Sequence, residues 1–144
     1  MANVVPASFK TDLLKGTFNF DSSGGSSFKL ALYTDISGLT TSTTAFTTSN
    51  EVSTSGTNYT SGGNALTNNG VAVSSNIAFV DFADLTFSSV TFSAVCALIY
   101  KSSSGNEAVL VLDFGGTKTA TNGDFVVQFP TANSSSAIIR LGDA

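Results

Sequence analysis

ALIYKSSSGNEAVLVLDFGG, residues 97–116, holds the densest apolar run in a chain otherwise crowded with Ser and Thr. A polar loop, KSSSGNE (101–107), separates two runs that strict alternation would make apolar on both faces. β-branched and aromatic residues dominate, so a strand pair fits better than a helix. On the return strand AVLVLDF (108–114), Ala108, Leu110, Leu112 and Phe114 share one face, and Val109 and Val111 share the other. Together with Leu98 and Tyr100, the first of these faces is the expected core. The second face, with Ile99, Val109 and Val111, must be covered by the chain's own second layer or by a neighbour in an assembly.

The incoming strand extends this hairpin backward. In FSSVTFSAVCALIY (87–100), Val90, Phe92, Ala94 and Cys96 face one way and Thr91 and Ser93 the other, until both faces turn apolar after Val95. FKLALYT (28–34) alternates cleanly, with Phe28, Leu30 and Leu32 opposite Lys29, Ala31 and Tyr33. IAFVDF (77–82), DFVVQF (124–129) and AIIRL (137–141) read as further strands, separated by Gly115-Gly116, Asn122-Gly123 and a serine run. Residues 35–76 form a long polar stretch with β-capable pieces, TAFTTSNEV and VAV. It supplies short edge strands or is an arm that orders against a neighbour. Residues 1–16 hold the one helical segment: Ser8 as cap, Phe9 and Leu13 one turn apart, Gly16 as terminator. So short a helix must dock its apolar face. The expectation is one domain over residues 1–144, mainly β. It is an antiparallel β-sandwich of jelly-roll or immunoglobulin-like type, or a related barrel, with one short N-terminal helix.

Composition narrows the function classes. Charged residues make up 11% of the 144, against roughly 25% in an average soluble domain. Hydroxyls and amides must carry solubility, and the low charge points to surfaces covered by neighbours. The net charge is −4, and the five Lys and one Arg are scattered singly. A phosphate-binding groove needs them clustered, so nucleic acid is not an expected partner. No run approaches the roughly 18–20 apolar residues of a membrane helix, and no membrane partner is expected. MANVVPASFKTDLLKG lacks a basic-then-apolar leader, which predicts synthesis in a cytoplasm.

Catalytic sets are sparse. With no histidine, Ser-His-Asp and Cys-His pairs and His-ligated metals drop out. Cys96, the one cysteine, lies between Val95 and Ala97 on an expected buried strand and reads as a small hydrophobe. Paired carboxylates remain: Asp81 and Asp84, Asp113, Glu51 and Glu107. Asp81 and Asp84 could offer oxygens to Ca²⁺, but they lack the alternating acid pattern of a calcium loop. Asp113 and Arg140 could bridge if their strands pair. A sugar-binding site would need Tyr33, Tyr59 or Tyr100 exposed near one loop end. The sequence therefore predicts no catalytic residue, no cofactor and no metal. Its candidate interface residues are Phe9, Leu13, Ile99, Val109 and Val111.

The order of landmarks adds a resemblance. FKTDLLKG, FKLALYT, NEVSTSGTNYTSGGNAL, FADLTFSSVTFSAVCALIYKSS, AVLVLDFGGTKT and FPTANSSSAIIRL follow one another from about residue 8 to 141. In that order they resemble a family of small β-rich virion proteins of tailed bacteriophages, of the cyanophage and marine-phage type. The resemblance implies a structural virion protein, a capsid decoration (cement) protein on the lattice of the major capsid protein, self-associated as a homotrimer and located at the capsid surface. It carries no catalytic signature. A tail component (tube, fibre or collar subunit) and a carbohydrate-binding adhesion module are the alternatives.

Overall fold

The computed structural model describes residues 3–143; residues 1, 2 and 144 of the expected domain lie outside the described residues. A helix α1 (Ala7–Leu14) precedes seven strands: β1 (Phe28–Tyr33), β2 (Asn64–Ala65), β3 (Asn68–Ser74), β4 (Ile77–Phe82), β5 (Leu85–Lys101), β6 (Ala108–Val127) and β7 (Ile139–Leu141). They form two antiparallel sheets, ordered β2-β1-β5-β6 and β3-β4-β7. Both sheets are open, so the fold is a sandwich and not a barrel. The expected mainly β architecture with one short helix is what the chain adopts.

Helix α1 ends as the sequence dictates. Gly16 takes φ +79°, its N–H reaches the Leu13 carbonyl at 3.2 Å, and the Thr17 N–H reaches the Asp12 carbonyl at 2.9 Å. These two bonds satisfy carbonyls the helix leaves open, and only glycine takes that conformation without steric cost. The start differs from expectation. Pro6 is the N-cap and no side chain caps it. The Ser8 hydroxyl donates instead to the Thr43 carbonyl, 2.9 Å away, tying the helix to a distant segment.

The β5–β6 pair is the spine. The expected strands 108–114 and 124–129 are one continuous strand, because Gly115 and Gly116 form a bulge and not a stop. Ala94 pairs with Lys118 and Cys96 with Asp113, so residues 114–117 loop out opposite Val95. That bulge reverses which face each side chain takes. Phe92 and Ala94 lie in one core cluster with Ala97 and Ile99. Cys96 joins the other, with Leu98 and Tyr100. Alternation through Val95 had placed Cys96 with Phe92, and had grouped Leu98 with Leu110. Leu98 pairs with Val111 and Ile99 with Leu110.

The larger core lies between the two sheets and is closed by aromatic rings. Phe20 and Phe28 stack at 4.8 Å, Phe9 packs on Phe18 at 5.1 Å, and Phe28 meets Phe82 of β4 at 5.7 Å. Such pairs add about 0.5–1.5 kcal/mol each beyond area burial. The second core lies on the opposite face of β1-β5-β6. It is roofed by residues 34–52, which run back across the sheet as a strap. Leu39 and Phe46 cover Tyr33, Leu98 and Val111. The strap is pinned by Val52 N–H to the Leu32 carbonyl, Phe46 N–H to the Asn106 carbonyl, and Ala108 N–H to the Thr44 carbonyl, at 2.9–3.0 Å. Val4 exchanges both backbone bonds with Val111.

The hairpin's second face is covered by the chain's own layers: Val111 lies under this roof, and Ile99 and Val109 lie in the core between the sheets. Ile99, Val109 and Val111 are fully buried by their own chain. They are corrected from interface candidates to core residues. Of residues 35–76, the strap and the strands β2 and β3 belong to the domain, so the segment is an edge-strand supplier and not a free arm. Asp113 and Arg140 do not bridge through paired strands, since β7 pairs with β4 in the other sheet.

Candidate functional site

The groups that could carry chemistry are drawn into the fold's own bonding. Glu51 is the clearest case. Its Oε1 accepts the Tyr59 hydroxyl at 2.8 Å and the Gly62 N–H at 2.6 Å, and its Oε2 accepts the Ser61 hydroxyl at 2.7 Å. Tyr59 in turn accepts the Leu32 N–H at 3.0 Å. The Tyr33 hydroxyl donates to the Thr47 carbonyl and the Tyr100 hydroxyl to the Gly62 carbonyl. All three tyrosines are buried. Burial raises each phenol's pKa, with the Glu51 charge adding to it. The exposed tyrosine platform that a sugar-binding module requires is absent from these positions. Glu51 is instead the clamp that fixes residues 51–62 onto β1. A lone acid within a long Ser/Thr run was the one signal for it.

Cys96 is fully buried, with its thiol 3.8 Å from the Asp35 carbonyl. Burial first, then the charges of Asp113 and Asp35, push its pKa up to about 12, where almost no thiolate exists at neutral pH. A thiol-reactive aryl disulfide should label it only as fast as the chain unfolds. Cys96→Ser should cost about 1–3 kcal/mol by placing a hydroxyl in an apolar setting. Fast labelling of the native protein would show that the bulge at Val95 does not bury this residue.

Asp81 is buried on β4. Its Oδ1 accepts the Phe82 N–H at 2.9 Å, whereas Oδ2 makes no hydrogen bond. Burial raises its pKa and the nearby Asp84 charge adds to the rise, opposed by the Phe82 and Ile138 amides. Asp84 Oδ1 accepts the Phe129 N–H at 2.8 Å. Among the described residues no three acidic or cysteine side chains converge, so the two acids build no calcium cage by themselves. Because the folded pKa lies above the unfolded one, folding favours the protonated form. The stability this gives is complete below the ordinary carboxylate range and is lost as pH rises through the raised value. Asp81→Asn keeps an acceptor for Phe82 and removes the charge. At pH 7 it should stabilise by about 1–2 kcal/mol, and in melts at acidic pH the gap should close. A lower melting temperature than wild type at pH 7 would contradict this.

No protein-family model, no curated protein and no solved structure matches the chain.

Several large apolar side chains are nonetheless open to solvent. Leu14 is 90% exposed, Val73 70%, Leu141 58% and Val71 52%. They cluster around the sheet β3-β4-β7 and helix α1. A groove of about 610 Å³ runs between the helix and β7. Leu13, Leu14, Val109, Leu110 and Leu141 are among its walls, with Lys10 and Arg140 in its lining. A second hollow of about 280 Å³ shares Leu13, Ile139 and Leu141 with it and continues under β3 and β4 past Val71 and Val80. Of the expected interface residues, Leu13 belongs to this surface, and Val109 forms part of its buried floor. Phe9 contributes from below as a buried wall. Sequence reading missed Val71, Val73 and Leu141. The VAV of 71–73 was the available signal, two β-branched residues on one face with no partner layer.

Proposed function

We propose that the chain is a structural virion protein, a decoration (cement) protein of a tailed-phage head that stabilises the shell by bridging capsomers. The observation that carries it is the apolar surface formed by α1, β3 and β7 on a chain of low charge, whose acids and tyrosines are committed to holding the fold. Its sequence landmarks support the same reading. A cement protein acts by adding buried area across joints between subunits. Binding the assembled lattice and not its parts stabilises the lattice by linkage, and many weak copies share the load. The partners on this reading are the major capsid protein and further copies of the chain, and the location is the capsid surface.

Imaging purified particles by electron cryo-microscopy tests it. Hundreds of copies at icosahedral positions are expected. A few copies in a ring or helical array would replace this reading with a tail component. Absence from particles, together with binding on a glycan array, would replace it with an adhesion module.

A further inference from the structure

The sheet β3-β4-β7 is apolar in two rows that run straight across it. Val71 is opposite Val80, which is opposite Ile139; Val73 is opposite Ala78, which is opposite Leu141. Cross-strand partners share a face, and this face looks into the hollows beside α1. At both ends the rows stop without a cap. Among the described residues no strand pairs with the outer edge of β3 or of β7. Residues 71–74 of β3 carry no charge and no proline, two devices by which monomeric proteins blunt an edge. Beyond β7 lies the groove of about 610 Å³, open space beside an unpaired edge.

We infer that the groove receives β3 of a second copy of this chain, pairing with β7. Val71 and Val73 of the second copy then continue the rows of Ile139 and Leu141 and pack toward Leu13 and Leu14. Both β3 and β7 run antiparallel to β4, so a copy rotated about an axis along the strands brings β3 in parallel to β7. The contact is head-to-tail, and repeated rotation closes it into a ring. Charge favours this arrangement over a two-fold one. Lys10 and Arg140 line the groove with no acid among its residues, while the whole chain is −4, so the rest of each copy is more negative still. A two-fold β7–β7 pairing would set Arg140 against its own copy, and like charges across a ladder destabilise it. A neutral β3 strand brings no such repulsion. This deepens the assembly reading above and fails separately from it: particle imaging reports where the protein sits, and the following experiment reports how copies join.

The test is native mass measurement of the full chain with two edge-blocked variants, Val73→Lys and Leu141→Lys. Both sites are exposed, so each variant should still melt cooperatively, below wild type only by what association contributes; Val73→Asn and Leu141→Asn serve where a lysine variant loses its cooperative melt. Wild type should run as a discrete multimer of the 14.7 kDa chain. Each variant alone should fall to that single-chain mass. An equal mixture at millimolar concentration should form one-to-one dimers and nothing larger, because one intact β3 and one intact β7 remain. A monomeric wild type at millimolar concentration, a variant that still self-associates alone, or a mixture that stays monomeric would each overturn the inference.

Discussion

Gly63→Ala should destabilise the protein by about 3–5 kcal/mol. Gly63 stands where the clamped segment turns down into β2, at φ +73°. A Cβ there would sit 1.7 Å from the Leu30 carbonyl oxygen and 2.8 Å from the Ala31 Cα. These are backbone atoms at the centre of β1 and cannot step aside without breaking the ladder to β5. The left-handed conformation adds its own strain for a residue with a side chain. Gly16→Ala separates the two causes. Gly16 has φ +79° with nothing within 4 Å of its would-be Cβ, so only the conformational cost of about 1–2 kcal/mol applies. Denaturant titration of both variants reads the difference. Equal losses would mean that the close approach to Leu30 is not present in solution.

Ile99→Ala is the second large effect, a loss of about 2–5 kcal/mol. Ile99 is fully buried between β1, β6 and the facing layer. Truncation removes its transfer energy and leaves a cavity among Leu30, Leu110 and Val109 that a rigid strand pair cannot close. The informative part is how the loss depends on protein concentration. A residue covered by its own chain loses the same amount at every concentration. A residue covered by a neighbour would lose more in concentrated samples, where wild type gains from association. Denaturant midpoints over a hundredfold range of concentration decide between them, and constancy is the expected result.

Much of the fold was legible because periodicity is a local signal. Alternation marked 77–82 at its observed bounds and 28–34 to within one residue, and the two-faced apolar hairpin announced a sheet covered on both sides. What failed was the reading of glycine. Gly115-Gly116 looks like a strand end, yet β5 continues opposite it, so the pair becomes a bulge inside one strand of 20 residues. No local rule reports what the partner strand does. The same bulge inverted the expected facing of Cys96 and Leu98, since a period-2 pattern holds only while register holds. The strap was hidden for a different reason. Its bonds to Leu32 and Asn106 are long-range backbone bonds, which any sequence can make. Only Leu39, Phe46 and Val52 stand out as anchors among Ser and Thr. The interface residues went astray because alternation says that Ile99, Val109 and Val111 need cover and says nothing of whose. The exposed valines of β3 were the better lead, being apolar positions for which the chain provides no second layer.

The exchange of backbone bonds between Val4 and Val111 has a consequence for folding. Val4 waits for a partner far along the chain. The strap likewise needs β5 and β6, since Phe46 and Thr44 bond to Asn106 and Ala108. Segments that precede β5 and β6 therefore lack most of their sheet until those strands form, which makes folding depend on contacts distant in sequence. Such a chain commits to its native form in one late, concerted step.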